Sequence, residues 1–192
     1  MNPHIPIGEA TIGPFFPAAF VDAGANDLTM MNGRDARGVV IEIRGRVTQE
    51  GGVPLDNVVL EIWQADADGI FRHPADPRSK DADPNFFGWG RAATDRDGNY
   101  FFRTIMPGRS LMQDGTWRAP HVNVLILASG LMRQLQTVMF FEGERANATD
   151  AVLGSVKPIE LQRLLIARPE GPGRVRFDIR LRGPDETPFF ED

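Results

Sequence analysis

A mainly β architecture is what the sequence predicts: a β-sandwich with one or two short helices in late connections and an extended N-terminal arm. Three observations carry this expectation. Short runs rich in β-branched and aromatic residues recur from Val39 onward. Turns bearing glycine after aspartate separate them. One late run alternates strictly, with Val175, Phe177, Ile179 and Leu181 on one side and Arg174, Arg176, Asp178, Arg180 and Arg182 on the other. Period-two alternation gives a strand one dry face and one wet or partner-facing side.

In chain order, residues 1–38 carry Pro3, Pro6, Pro14 and Pro17 and no sustained period, so they read as an arm or a chain of turns. Ile5, Ile7, Ile12, Phe15, Phe16 and Phe20 make that arm apolar, and such an arm lies against its own sandwich or against another chain. Residues 39–192 are expected to form the sandwich. The runs at 39–44 and 58–63 are its first strands, with Gly51-Gly52 as a turn between them. Asp66-Ala67-Asp68-Gly69 and Asp95-Arg96-Asp97-Gly98 have the composition of turns. Neither has the downstream glutamate that a helix-loop-helix calcium site requires. The runs at 100–105, 122–127 and 137–141 continue the strands. Pro158 suits a first helical position, and Leu161, Leu164 and Leu165 follow at helical spacing up to Arg168. Gly171-Pro172-Gly173 ends that region.

Bulk composition limits the function classes. A chain of 192 residues suits one domain with a sizeable core. A net charge of −5 argues against nucleic acid or an anionic membrane as partner. No apolar run approaches the roughly 20 residues of a membrane span, and no basic-then-apolar leader opens the chain. With no cysteine there is neither a disulfide framework nor a thiolate metal site, which fits a cytoplasmic protein.

Five segments carry the chemistry: Trp63-Gln64-Ala65-Asp66-Ala67-Asp68-Gly69-Ile70-Phe71-Arg72-His73, Asp83-Pro84-Asn85-Phe86-Phe87-Gly88, Gly90-Arg91-Ala92-Ala93-Thr94-Asp95-Arg96-Asp97-Gly98-Asn99-Tyr100, Thr104-Ile105-Met106-Pro107-Gly108, and Trp117-Arg118-Ala119-Pro120-His121-Val122-Asn123. In this order and spacing, from about Thr11 to the C-terminus, they resemble the intradiol ring-cleavage dioxygenases of the protocatechuate 3,4-dioxygenase type. That family is built from related α and β chains. The resemblance implies a catalytic chain in which two tyrosine phenolates and two imidazoles hold ferric iron. Laid on that pattern, Phe71 stands at the first tyrosine, Ser110 at the second, and His121 with Asn123 at the two imidazoles. A phenyl ring has no donor atom, a serine hydroxyl is too weakly acidic, and an amide oxygen is a poor ferric ligand. The resemblance therefore implies a non-catalytic α chain holding no metal, whose partner is a homologous β chain that binds Fe(III), in several αβ copies.

It further implies that Thr11, Ile12, Gly13, Pro14 and Phe15, a turn in the arm, reach into the partner's substrate cleft. An arginine near the substrate carboxylate is missing at Ser129, leaving Arg133 as the candidate replacement. The substrates implied are dioxygen and protocatechuate or a related anionic catechol, carboxylated or sulfonated, opened between its two hydroxyl-bearing carbons. Two alternatives stay open. One is a stand-alone binding or structural sandwich. The other reads His121 as a ligand beside His73 or Asp76, in place of a hydrogen-bonded remnant with Arg118 filling part of the cavity.

Overall fold

Two sheets stack across one apolar core, and the alternation of each strand decides which side chains enter it. The computed structural model describes Gly13, Phe16, Phe20 and residues 24–190. In strand β3 (Val40–Thr48), Ile41, Ile43 and Val47 are buried while Val40 and Arg44 are exposed. β3 pairs antiparallel with β6 (Asn99–Ile105), setting Ile43 opposite Phe102. On its other edge it pairs in parallel with β12 (Arg174–Arg176) and then β13 (Ile179–Arg180). The expected alternation survives the break between them, because Phe177 and Ile179 are buried and Asp178 is exposed.

The second sheet runs β10 (Leu135–Phe141), β9 (His121–Leu127), β4 (Val59–Gln64), β5 (Trp89–Ala93), all antiparallel. Its inner face supplies Leu60, Ile62, Val124, Ile126 and Met139 to the core that Ile43 and Phe102 enter from the first sheet. Each such side chain, fully buried, contributes about 1.5–3 kcal/mol. β11 (Ile166–Gly171) ties the sheets together: Ile166 and Ala167 pair with β10, then Arg168 and Pro169 pair with β12.

The outer faces differ. That of the first sheet is charged and open, with Arg44 paired to Glu42 and Arg176 to Asp178. That of the second is covered. Val138 and Phe140 of β10 pack there against Leu153, Val156 and Leu165 in a separate apolar cluster.

The expected helix from Pro158 to Arg168 is corrected. Residues Ile159–Leu165 form 3-10 turns with Pro158 as their cap, and at Ile166 the chain becomes β11. Pairing of Ile166 and Ala167 beside β10 wins over helical propensity in that apolar run. The α-helix lies just upstream, α1 (Ala151–Ser155), with the Asp150 carboxylate accepting from the amides of Val152 and Leu153. Its five residues are too few to show a helical period.

The C-terminal part of the expected arm packs on its own sandwich. β1 (Met30–Met31) and β2 (Arg34–Asp35) form a small hairpin, and Leu28 enters the core. The Leu28 amide donates to the Arg103 carbonyl and the Arg103 amide to that of Asn26. Asp27 accepts from the Thr29 hydroxyl at 2.6 Å and Arg103 at 3.0 Å. Thr11, Ile12, Pro14 and Phe15 lie outside the described residues, and Gly13 is exposed.

Candidate functional site: an aromatic cavity on the covered sheet face

Two loops cross beside the end of β4. The first leaves Gln64, which is buried and anchored, its Nε2 donating to the Ile105 carbonyl at 2.9 Å and its Oε1 accepting from the Thr104 hydroxyl at 2.9 Å. Asp66 then closes a tight turn, accepting from the amides of Asp68 at 3.0 Å, Ile70 at 2.9 Å and Asp83 at 2.8 Å. The aspartates read as turn-formers in the sequence do that here. The second loop passes against the first at Gly69 and Gly108. A Cβ on Gly69 would collide with the Arg109 carbonyl, and one on Gly108 would lie 2.5 Å from the Ala67 carbonyl oxygen. Only glycine permits this approach, and past the crossing the first loop sets Phe71 against His121.

The cavity so formed has a volume of about 610 Å³ and is bordered by Trp63, Phe71, His73, Leu111, Arg118, His121 and Asn123. Phe71 stacks on Trp63, with ring centres 6.3 Å apart and planes 5° from parallel, and leans on His121 at 6.1 Å. His121 and Asn123, two apart on β9, share its outer face. Asn123 turns its amide nitrogen to the Trp63 carbonyl at 3.2 Å. Ser110 is the first residue of β7 (Ser110–Leu111), fully buried opposite Arg118 in β8 (Trp117–Arg118).

The electrostatics of the cavity wall follow from burial. His121 Nδ1 lies 2.7 Å from the Ala119 carbonyl oxygen. Because a carbonyl only accepts, Nδ1 carries the proton and Nε2 is left as an acceptor. Burial, then the charge on Arg118, pushes the imidazole down to about 4, against smaller opposing effects of the Ala119 carbonyl and Asp150. His121 is therefore neutral at physiological pH. Behind it, Arg118 Nε donates to Asp150 at 2.7 Å, and the Ala119 amide donates to the same carboxylate oxygen at 2.8 Å. Burial works to raise the Asp150 carboxyl, but hydrogen bonds from Arg118, Leu153 and Ala119 together hold it below the ordinary carboxylate range. This buried pair, missed in the sequence, ties α1 to the cavity. Its one signal was an aspartate before the apolar run of α1, a common helix start.

The chain's one tyrosine stands elsewhere. Tyr100 is 6 % exposed on the inner face of β6 and donates its hydroxyl to the Phe177 carbonyl at 2.5 Å. Burial, then the charge on Asp178, drives this phenol well above its ordinary value, so it stays protonated.

His73 and Asp76 border the same cavity, but each Asp76 oxygen already accepts from a backbone amide, of Phe71 at 2.9 Å and of Arg78 at 2.8 Å. Among the described residues, no three histidine, aspartate or glutamate side chains converge. Arg133 is not brought to this cavity. It is exposed in the β9–β10 loop, where Leu135 pairs with Ile126, five residues along β10 from the Phe140–His121 pair. At roughly 3.4 Å per residue that is about 17 Å away.

The donor set does not fit ferric iron, which favours anionic oxygen ligands. Phe71 offers no lone pair, Ser110 a neutral hydroxyl, Asn123 a neutral amide, and only His121 an imidazole nitrogen. Losing even an outer partner of a metal ligand weakens binding about 10- to 100-fold. Against the four ligand positions that the resemblance implies, three donors are absent.

A family model described as "Dioxygenase" matches residues 12–183. The chain belongs to the intradiol ring-cleaving dioxygenases. The protocatechuate 3,4-dioxygenase β chain of Burkholderia cepacia is 34 % identical, covering 98 % of this chain and 86 % of that one. The α chain from the same organism is 36 % identical over 81 % of this chain and 79 % of its own length. Among solved structures, the dioxygenase domain of a carbohydrate-binding fusion from Streptomyces sp. SirexAA-E superposes with a TM-score of 0.60 at 28 % identity, covering 93 % and 99 % of the two chains. The 3-chlorocatechol 1,2-dioxygenase of Rhodococcus opacus 1CP gives 0.65 at 25 %, covering 86 % and 67 %. This dioxygenase chain thus resembles both an α and a β chain. The role within the family must be argued from its donor atoms.

Proposed function

We propose that this chain is the non-catalytic α subunit of an αβ intradiol dioxygenase of the protocatechuate 3,4-dioxygenase type. The complex opens protocatechuate or a related anionic catechol between its two hydroxyl-bearing carbons. One observation supports the reading: the cavity is bordered by Phe71, His121 and Asn123, with Ser110 buried next to Leu111 and opposite Arg118, and none but His121 offers the donor that the resemblance calls for. The Fe(III) belongs to a homologous β chain. This chain supplies walls, orientation and exclusion of water, through the turn Thr11, Ile12, Gly13, Pro14 and Phe15, with Arg133 as a candidate for the substrate's anionic group. The complex, in several αβ copies, works in the cytoplasm. Among the described residues no helix is long and apolar enough to cross a membrane.

Production alone and together with an iron-bearing β homologue tests this. Alone, the chain should hold iron far below one equivalent and show no catechol-dependent oxygen uptake. Together, the two should co-purify, and Gly13→Trp in the arm should lower activity without dissociating them. Full activity from the chain alone sinks the proposal.

A second reading, a self-contained sandwich without catalysis, draws on the packing of Leu28 into this chain's own core. Sedimentation with and without the β homologue separates the two.

A further inference from the structure

The unfilled hydrogen-bonding capacity of the cavity asks for a ligand other than iron. Arg118 is 8 % exposed and spends only Nε on Asp150. Among the described residues neither of its terminal nitrogens makes a hydrogen bond; Nη2 is shut away from solvent, so Nη1 is the donor left to the cavity. A buried donor left unpaired is unfavourable, so a partner brought there relieves that penalty. Ser110, across the short ladder from Arg118, also has a buried Oγ unpaired among the described residues, but it does not border the cavity. His121 adds the Nε2 acceptor. Phe140 is the common floor, its ring centre 6.0 Å from the Arg118 guanidinium carbon and 6.1 Å from the His121 ring centre.

The remaining walls are apolar and flat: Trp63 and Phe71 lie nearly parallel, with Leu111 opposite. Two acidic residues border the cavity. Asp76 is occupied by backbone amides, and Asp114 accepts from the Thr116 amide at 2.9 Å. Two further guanidinium groups, of Arg78 and Arg109, flank the ring of Trp117, the residue before Arg118, at 5.7 and 5.5 Å.

We infer that this cavity is an iron-independent binding site for a hydroxylated aromatic monoanion, with the anionic group on Arg118, the hydroxyl donating to His121 Nε2, and the ring against Phe71 and Trp63. The inference rests on the reading that the cavity holds no iron.

The test is calorimetric titration of the full chain, pretreated with chelator, using 4-hydroxybenzoate, benzoate and phenol as probes. One equivalent of 4-hydroxybenzoate should bind at least 10-fold more tightly than phenol, which lacks the anion, and more tightly than benzoate, which lacks the hydroxyl. Leu111→Trp, at a half-buried position on the cavity wall, should weaken it at least 10-fold while leaving the melting temperature near that of the parent. Arg118→Gln should weaken binding at least as much, at a lowered melting temperature. Should it unfold through loss of the Asp150 pair, the probe series still reads the anion requirement. No binding by the chelated chain, equal affinity for phenol, or indifference to Leu111→Trp overturns the inference. Binding that returns only with added Fe(III) and stoichiometric iron uptake overturns the non-catalytic reading too, whereas no binding with no iron uptake overturns this inference alone.

Discussion

The Tyr100 corner and the Phe71 cavity both set a ring from one chain segment against another, yet the phenol sits in one and the open space in the other. Tyr100 is buried in the core and committed to the Phe177 carbonyl. Phe71 borders a cavity of about 610 Å³ beside a neutral imidazole, with no oxygen to offer. The difference teaches that a residue count decides nothing until each residue is placed. One tyrosine in the chain is zero phenolates at the site.

The comparison breaks most visibly if the cavity can be given back its donors. Phe71→Tyr with Asn123→His adds a phenol and an imidazole beside His121. By the scale on which ligand sets lose affinity, the double variant should take up Fe(III) at least 100-fold more tightly than the parent. Metal analysis after dialysis and the ferric EPR signal check this. Tyr100→Phe should leave iron content untouched. If the parent already holds one equivalent, the contrast between the two regions collapses.

Next in size is the strut behind the cavity. Asp150 receives Arg118, the Ala119 amide and the first amides of α1, and it is 3 % exposed. Removing one partner of a buried pair typically costs about 3–5 kcal/mol, and Asp150→Ala should fall in that range in urea melts. Asp150→Asn, which keeps an acceptor for α1, should cost less.

The strut also marks the limit of what the sequence disclosed. Strands were legible wherever alternation was strong, as in Ile41, Ile43 and Val47 of β3 or Phe177 and Ile179 near the C-terminus. The burial of both faces of β10 was not, because a continuous apolar run has no period. Leu161, Leu164 and Leu165 looked helical because they stand at helical spacing. They are a 3-10 turn running into a strand beside β10, a choice made by long-range pairing. At the site, motif order singled out Phe71, His121 and Asn123, which border one cavity, and Ser110, which does not. The Arg118–Asp150 pair spans 32 residues and has no local signature. Packing of Leu28 under the sheet was hidden in a stretch that otherwise reads as arm.

A subtler separation of the two regions comes from pH. The unfolded His121 imidazole takes a proton near 6.5 and the folded one near 4. Unfolding therefore takes up a proton between those values, and stability falls as pH drops through that window. The 2.5-unit gap corresponds to at most about 3 kcal/mol, lost progressively from pH 6.5 down to 4 and not further below. His121→Phe should flatten that slope in melts measured from pH 7.5 to 4. Tyr100, raised far from this range, contributes nothing to it.

The smallest effect tests the other side of the comparison. Tyr100→Phe keeps the ring in the core beside Phe102 but withdraws the donor from the Phe177 carbonyl. An acceptor left unsatisfied in a buried place costs about 1–3 kcal/mol. In a domain of this size that lowers the melting temperature by roughly 2–4 °C per kcal/mol. The loss should be independent of pH between 5 and 8, since the phenol is protonated throughout. A variant as stable as the parent would mean that the link from β6 to the segment between β12 and β13 rests on packing alone. A variant that lost aromatic-acid binding in the distant cavity would mean that the two regions are coupled through the sandwich, against the independence their separate clusters of contacts imply.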